Sequence, residues 1–258
     1  MKKSTAKILG VACLMMFLTG CGTSADEKES VITLAAAASL KNCMDDHLIP
    51  MFSEKNPGIR IQATYDSSGK LQKQIEEGSS IDVFMSAAMK QMTELEEKGL
   101  VDRDSIVHLL ENKIVLIVPA NSSNGMISFE DIINADRIAI GDPASVPAGQ
   151  YAEEALTNLG IWDKVSSDVS LGTNVTEVLI WVAEGSAEAG IVYSTDAASN
   201  DKVRVIAEAP VGSVSQIIYP VGIVKATRDM ESAMRFVLFL QTDEALKIFE
   251  SYGFTRLE

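Results

Sequence analysis

Serine and other small residues stand at four points where the sequence predicts the start of a helix. Ser39 precedes the first of these helices, Ser67 and Ser68 the second, 147–149 (Pro-Ala-Gly) the third and 173–175 (Thr-Asn-Val) the fourth. Such residues are common caps and loop residues, so each start taken alone favours simple capping. A first helical turn also has free backbone N–H groups and the positive end of the helix dipole, which bind anions. Several starts meeting at one edge of a sheet would form a neutral oxyanion site.

A second pattern could bind a metal, but it lacks partners. Cys43 and His47 are one helical turn apart and could supply half of a metal site, yet no second pair accompanies them. A structural zinc takes four ligands. Both residues fall on the apolar face of a predicted helix, which favours a place in the core. We therefore predict no metal bound directly to protein side chains and no cofactor.

A third pattern resembles part of an enzyme motif. The segment 67–70 (Ser-Ser-Gly-Lys) matches the S-x-x-K element of penicillin-recognising enzymes, but the accompanying K-T-G element is absent. A pattern with two fixed positions arises readily by chance. We predict no catalytic residue and no enzymatic activity. An extracytoplasmic serine acyl-transfer enzyme remains the less favoured alternative, and labelling of Ser67 by a penicillin would support it.

Length and composition indicate a globular protein of one large or two small domains. The chain has 258 residues, of which 47% are hydrophobic and 22% charged, enough apolar material for a substantial core. It has 22 basic and 36 acidic residues, for a net charge of −14. We predict that this acidic chain does not bind nucleic acid, because phosphate contacts need clustered Lys and Arg.

The N-terminus has the pattern of a bacterial lipoprotein signal. Three lysines within the first seven residues precede the apolar run 8–18, which suits a signal peptide and is too short to span a bilayer. Leu-Thr-Gly-Cys then ends at Cys21, the expected site of lipid attachment after removal of 1–20. The polar segment 21–30 reads as a flexible tether. Only Cys43 then remains as a free thiol, so no disulfide forms, and the protein is expected outside the cytoplasm, anchored to the cell membrane by lipid.

Beyond the tether, hydrophobic periodicity predicts alternating strands and helices. Such alternation is typical of βαβ units, and it predicts an α/β fold with mainly parallel sheets flanked by helices. The predicted strands are 31–36, 59–65, 81–85, 114–119, 138–140, 189–193, 203–207 and 216–224. The predicted helices are 40–52, 71–77, 89–98, 129–133, 151–159, 175–182, 230–240 and 243–252.

Five segments, in this order, resemble the molybdate-binding proteins of ABC-type importers. The likeness extends from about residue 31 to residue 255. The Gly-Asp-Pro to Val-Pro-Ala-Gly stretch and the Gly-Ile-Val-Tyr stretch are together highly specific. The segments are 35–40 (AAAASL), 66–69 (DSSG), 141–152 (GDPASVPAGQYA), 190–197 (GIVYSTDA) and 249–254.

The resemblance implies a type II periplasmic-binding-protein fold of two lobes. Lobe 1 would comprise 31–112 plus 216–258, and lobe 2 would comprise 113–215. The strands 114–119 and 216–224 would cross between the lobes and act as the hinge. A monomer of this kind would capture molybdate, and also tungstate, between its lobes and deliver it to the membrane permease of an ABC importer.

The resemblance also implies which groups hold the oxyanion. The hydroxyls of Ser39 and Ser68 would bind it from one lobe. The backbone amides of Ala148 and Val175 and the hydroxyl of Tyr193 would bind it from the other. The metal would thus be held as an oxyanion, through these residues and without direct metal ligands.

The sequence departs from the family pattern at two positions. The family often has a third Ser or Thr where Gly69 stands, so either Ser67 or Ser68 could be the second serine ligand. An acidic residue is usual at the position of Ala88, where we expect a structural difference and retained binding.

The ligand chemistry also leaves an alternative open. Molybdate has no proton at neutral pH and needs donors only, whereas a protonated phosphate also needs an acceptor, and an unpaired proton costs about 1–3 kcal/mol. Sulfate is fully deprotonated too and must be excluded by size. A receptor for another small oxyanion, such as sulfate, is therefore the alternative among binding proteins.

Overall fold

A computed structural model describes residues 29–257 of the chain. The predicted signal peptide, Cys21 and most of the predicted tether lie outside the described residues. Within 29–257, no helix is both long and apolar enough to cross a membrane. The described chain forms two β-sheets with helices packed against them.

Strands and helices alternate along most of this chain. The strands are β1 Ser30–Ala37, β2 Ile59–Asp66, β3 Val83–Met85, β4 Val107–Asn112, β5 Ile114–Pro119, β6 Ile138–Gly141, β7 Val169–Gly172, β8 Ala189–Tyr193, β9 Val203–Glu208, β10 Ile217–Ile223 and β11 Thr255–Arg256. The α-helices are α1 Lys41–Cys43, α2 Ile49–Lys55, α3 Ser68–Glu76, α4 Met89–Glu97, α5 Pro147–Asn158, α6 Trp162–Val165, α7 Val175–Ala183, α8 Ser194–Ala198, α9 Met230–Leu240 and α10 Asp243–Ser251.

Each sheet places its most apolar strands at the centre. The first sheet has the order β11-β4-β10-β3-β1-β2, and the second has the order β7-β6-β8-β5-β9. Every residue of the central strands β3 and β8 is buried, as expected for strands covered on both faces. The edge strand β2 instead begins with alternating buried and exposed residues, because one of its faces meets solvent.

Both sheets are mixed, whereas the sequence predicts mainly parallel ones. Four strand pairings are parallel and five are antiparallel. The parallel pairings join strands that are connected through helices, as in β1 with β2 and β6 with β7. Each antiparallel pairing includes β5, β10 or β11, the strands that follow a passage between the sheets or end the chain.

The chain passes between the two sheets over very short distances. Asn112 ends β4 in the first sheet and Ile114 begins β5 in the second, so Lys113 alone separates them. The return runs through 209–216, between β9 and β10. The predicted crossing strands therefore each lie wholly in one sheet, and the passages lie at their ends.

The first predicted helix contains a change of helical type. A 3₁₀ turn at Ala38–Leu40 leads into α1, a π-helical segment at Met44–Leu48 follows, and α2 completes it. Cys43 is buried as predicted, but His47 is exposed and its ring meets Tyr252 edge-on. The prediction that His47 lies on the buried face is wrong, because the wider π turn shifts the register of the helix face.

The sequence also misses several short elements and the true starts of two helices. The missed elements are β4, β7, β11, α6 and α8. Helix α3 begins at Ser68 and α5 at Pro147, three and four residues before their predicted starts. Ser68 and 147–149 therefore form the first turns of these helices, and Ser67 is the N-cap residue of α3.

Candidate anion-binding site

The predicted site residues meet in a small cavity between the two sheets. Ser39, Ser68, Ala148, Val175 and Tyr193 all line it. Its volume is about 10 Å³, about the room for one water molecule. The remaining lining residues are Ala37, Ala38, Asp66, Ser67, Ala87, Val146 and Pro147.

Ser39 reaches the cavity from the 3₁₀ turn that follows β1. The turn has no side-chain cap, so the serine is not engaged in capping. Its Oγ lies 3.0 Å from the hydroxyl oxygen of Tyr219, on β10. The short turn after the central strand β1 therefore aims a serine at the cavity, with a second hydroxyl bonded to it.

Ser67 and Ser68 occupy the start of α3 and differ in their contacts. Ser67 is the N-cap residue by position, but its side chain makes no capping bond. Its Oγ is buried and has no hydrogen-bond partner among the described residues. The Oγ of Ser68 accepts a hydrogen bond from the backbone N–H of Ala87 at 3.0 Å, so the Ser68 proton remains free to be donated.

The second sheet contributes two helix starts with unpaired backbone donors. Ala148 is in the first turn of α5 and Val175 is the first residue of α7, where N–H groups have no partner within the helix. Helix α5 lies tightly against β6: a Cβ on Gly149 would come within 1.9 Å of the Gly141 carbonyl oxygen. Only glycine permits this approach, which sets the position of the α5 start.

Of the four helix starts, one follows the simple capping interpretation. The Asn174 side chain accepts a hydrogen bond from the backbone N–H of Glu177, capping α7. The N-cap residues of α3 and α5 and of the 3₁₀ turn at Ser39 make no side-chain capping bond. The small residues at those three starts are thus not explained by capping.

Tyr193 ends β8 and spans the gap between the two sheets. Its hydroxyl donates to the carbonyl oxygen of Ala87 at 3.2 Å, and its ring packs edge-on against Tyr219 with centroids 5.5 Å apart. Burial raises the pKa of the Tyr193 hydroxyl well above its usual range, and the nearby Tyr219 adds to the effect. The hydroxyl therefore stays protonated, and its single proton must leave the Ala87 carbonyl oxygen to be donated to an anion.

One acidic side chain borders the cavity, and it is neutralised nearby. The Oδ1 atom of Asp66 accepts a bond from the Ser67 backbone N–H at 2.8 Å and from Lys70 Nζ at 3.2 Å. No Lys, Arg or His is among the lining residues. Apart from Asp66, the polar side chains on the lining are the neutral hydroxyls of Ser39, Ser67, Ser68 and Tyr193, which can donate to an anion.

The same contacts weigh against nucleophilic chemistry. In the S-x-x-K segment, Lys70 is bonded to Asp66, and Ser67 Oγ has no partner within the described residues. A serine nucleophile needs a base within hydrogen-bond reach. Nor do three or more His, Cys, Asp or Glu residues within 29–257 gather in a way that could hold a metal ion.

Sequence reasoning missed Ala87 and Tyr219. Ala87 contacts both Ser68 and Tyr193 through its backbone, and Tyr219 contacts Ser39 through its hydroxyl. The position of Ala87 just after the buried strand β3 is a usable signal, because ligand sites gather at the carboxyl ends of strands. Tyr219 lies within a predicted strand, and no local pattern distinguishes it.

Over most of its length, the sequence of this chain is similar to those of bacterial solute-binding proteins. Residues 32–255 match the family described as bacterial extracellular solute-binding protein. A Bacillus subtilis (strain 168) protein, named as the ABC transporter substrate-binding lipoprotein YvgL, is 40% identical over 251 residues, which cover 95% of this chain and 96% of that protein. The molybdate-binding protein ModA of Haemophilus influenzae is 39% identical over 229 residues, covering 87% of this chain and 89% of that protein.

A solved structure of a similar protein agrees with these sequence matches. The substrate-binding domain of a molybdenum ABC transporter from Clostridium difficile matches with a TM-score of 0.69 and 36% identity, over 89% of this chain and 100% of that one. The predicted resemblance to molybdate-binding proteins and the predicted type II periplasmic-binding-protein fold are both confirmed. The chain belongs to the bacterial extracellular solute-binding protein family.

Proposed function

We propose that this protein captures molybdate from outside the cytoplasm and delivers it to the membrane permease of an ABC importer. The observation that carries the proposal is the meeting of five neutral donor residues in one cavity: Ser39, Ser68, Ala148, Val175 and Tyr193. The names of two similar proteins, one molybdate-binding and one part of a molybdenum transporter, support molybdate as the ligand.

The donor set suits molybdate chemically. The hydroxyls of Ser39, Ser68 and Tyr193 and the N–H groups of Ala148 and Val175 can all donate to an anion that has no proton. A protonated phosphate would lack an acceptor for its proton, at a cost of about 1–3 kcal/mol. Tungstate has the same charge and shape as molybdate, so we propose that it binds as well. Sulfate differs in size alone, and exclusion of sulfate depends on the fit of the closed cavity.

We further propose that two lobes close around the anion. Lobe 1 consists of 31–112 plus 216–258, and lobe 2 of 113–215. The support is that β1–β4, β10 and β11 form one sheet while β5–β9 form the other. The strands 114–119 and 216–224 adjoin the two passages between the sheets and would act as the hinge. The cavity has room for about one water, so the lobes must separate to admit an oxyanion.

Location and assembly are proposed from the sequence and the family. Membership in a family of extracellular solute-binding proteins supports a place outside the cytoplasm. We propose that lipid on Cys21 anchors the protein to the cell membrane, that it acts as a monomer, and that it has no catalytic activity of its own. The unpaired Ser67 and the bonding of Lys70 to Asp66 support the last point.

A thermal-shift and calorimetric panel with molybdate, tungstate, sulfate and phosphate tests the proposal. Molybdate and tungstate should raise the unfolding temperature strongly, because a ligand at a hundredfold its Kd adds about 2.7 kcal/mol of stability. Phosphate should have no effect, and sulfate should bind much more weakly. Stabilisation by sulfate alone would instead support the alternative of a receptor for another small oxyanion.

A further inference from the structure

A chain of hydrogen bonds leads from the passage between the sheets to Ser39. Asn112 Nδ2 lies 3.3 Å from the Tyr219 hydroxyl oxygen and 2.9 Å from Thr195 Oγ1. The Tyr219 hydroxyl in turn lies 3.0 Å from Ser39 Oγ. Tyr219 is fully buried and Asn112 is 8% exposed. Of the chain Asn112–Tyr219–Ser39, only Ser39 lines the cavity.

The orientation of the Asn112 amide is fixed by a backbone donor. The N–H of Lys113 can only donate, and it lies 2.8 Å from Asn112 Oδ1, which must therefore be the amide oxygen. Ser194 Oγ also donates to that oxygen, at 2.9 Å. The Asn112 NH₂ group, which can only donate, is consequently the group that faces Tyr219.

The direction of the remaining protons follows from this orientation. The Tyr219 oxygen accepts from Asn112, and burial raises the pKa of its hydroxyl well above the usual range, so its single proton is retained. That proton is available to Ser39 Oγ, 3.0 Å away. Ser39 then acts as acceptor toward Tyr219, and its own proton is free for a donor bond into the cavity.

We propose that Asn112 and Tyr219 are positioning residues that hold Ser39 as a hydrogen-bond donor and so make the site select fully deprotonated oxyanions. This inference rests on the proposed function. Without the Tyr219 hydroxyl, Ser39 could turn and accept a proton from its ligand, and the site would discriminate less against a protonated anion. Selectivity would thus be set by a residue that does not line the cavity.

The test compares Tyr219→Phe with the wild type, using molybdate titration and competition by inorganic phosphate at pH 7. Affinity for molybdate should fall about 3- to 10-fold, the range of one typical hydrogen bond. The ratio of molybdate to phosphate affinity should fall by about tenfold. Asn112 keeps Thr195 as a partner in this variant, so the fold should be retained. Tyr252→Phe, which also removes a hydrogen-bonded hydroxyl, is the matched control and should change neither value.

A double-mutant comparison separates positioning from packing. In the Ser39→Ala background, Tyr219→Phe should have no further effect on molybdate affinity, because the serine that it orients is gone. In the Ser68→Ala background, Tyr219→Phe should lower molybdate affinity by as much as it does in the wild type. Equal losses in both backgrounds, or an unchanged ratio of molybdate to phosphate affinity, would overturn the inference.

A second variant covers the case in which Tyr219→Phe does not fold. Asn112→Asp replaces the NH₂ donor by an acceptor, so Tyr219 would donate to it and Ser39 would donate to Tyr219. Molybdate affinity should then fall by more than tenfold in the wild-type background and much less in the Ser39→Ala background; similar losses in both would overturn the inference.

A wild-type protein that does not bind molybdate would overturn the proposed function and this inference together. If the wild type binds molybdate and both variants keep its ratio of molybdate to phosphate affinity, the inference alone would be overturned.

Discussion

The backbone N–H of Gly69 donates a hydrogen bond of 3.0 Å to the carbonyl oxygen of Ser145. Gly69 is in the first turn of α3, packed on the first sheet, and Ser145 lies just before α5, packed on the second. A Cβ on Gly69 would lie 2.5 Å from the Ser145 carbonyl oxygen, closer than real side chains approach. The two backbones thus touch beside the cavity.

We expect Gly69→Ala to hinder closure of the lobes around the ligand. The clash is with backbone, which yields little, and overpacking of this kind costs about 1–3 kcal/mol. Molybdate affinity should therefore fall by about tenfold or more. In small-angle X-ray scattering, the saturated variant should stay larger than the saturated wild type.

The control for this change is Gly58→Ala. No atom lies within 4 Å of a Cβ built on Gly58, so the same substitution meets open space there. Affinity and scattering should match the wild type. Normal affinity in Gly69→Ala would contradict the expected role of the contact between Gly69 and Ser145 in closure.

Alanine substitution should weaken molybdate binding at Ser68 and leave it unchanged at Ser67. Ser68→Ala removes a hydroxyl that is held by the Ala87 N–H with its proton free, and should weaken molybdate binding by about 1.5–3 kcal/mol. Ser67→Ala removes a buried hydroxyl without a partner in the described chain, and should leave affinity unchanged while raising stability by about 1 kcal/mol.

Calorimetric titration and urea unfolding of both variants measure these effects. Each variant serves as the control for the other, because both remove one buried hydroxyl from the same turn. A loss of affinity in Ser67→Ala with none in Ser68→Ala would show that Ser67 is the second serine ligand.

Regular elements could be predicted well where an apolar run has sharp ends. The predicted bounds of β5, β8 and α9 are those of the structure, because polar or small residues directly flank each apolar segment. Strands β7 (Val-Ser-Leu-Gly) and β11 (Thr-Arg) were missed because neither contains a run of apolar residues. The π segment at Met44–Leu48 was missed because its pattern is locally that of an α-helix.

The site was predictable only in part, for a different reason. Ser39, Ser68, Ala148 and Val175 stand at turns and helix starts, where residue type signals free donors. The bond between Ser39 and Tyr219 joins residues 180 positions apart. It depends on the chain returning from the second sheet to place β10 beside β3, and no local period encodes that return.

Lipid attachment gives a prediction outside the described residues. Cys21→Ser should release the protein from the membrane fraction into the soluble fraction, because the thiol that accepts lipid is gone. Molybdate affinity of the released protein should equal that of the wild type. Fractionation with and without detergent measures the change, and unchanged membrane retention would exclude Cys21 as the anchor.

Asp196 gives a prediction for the dependence of stability on pH. This residue of α8 is 7% exposed, and its Oδ2 atom has no hydrogen-bond partner within 29–257. Burial raises the pKa of its carboxyl to about 7, although nearby backbone N–H groups oppose the shift. The folded protein therefore holds this proton more tightly than the unfolded chain does. Between about pH 4 and pH 7 the contribution of Asp196 to the free energy of unfolding should fall as pH rises, and above pH 7 it should be level.

Asp196→Asn should remove this slope, because an amide stays neutral at every pH. The variant should be more stable than the wild type by at most about 4 kcal/mol at pH 8, and by less than half of that amount at pH 5. Urea unfolding from pH 5 to pH 8.5 measures both. Asp201→Asn, the same change at an exposed position, controls for the loss of one negative charge. If the wild type and Asp196→Asn differ by the same amount at pH 5 and pH 8, the buried carboxyl does not titrate in this range.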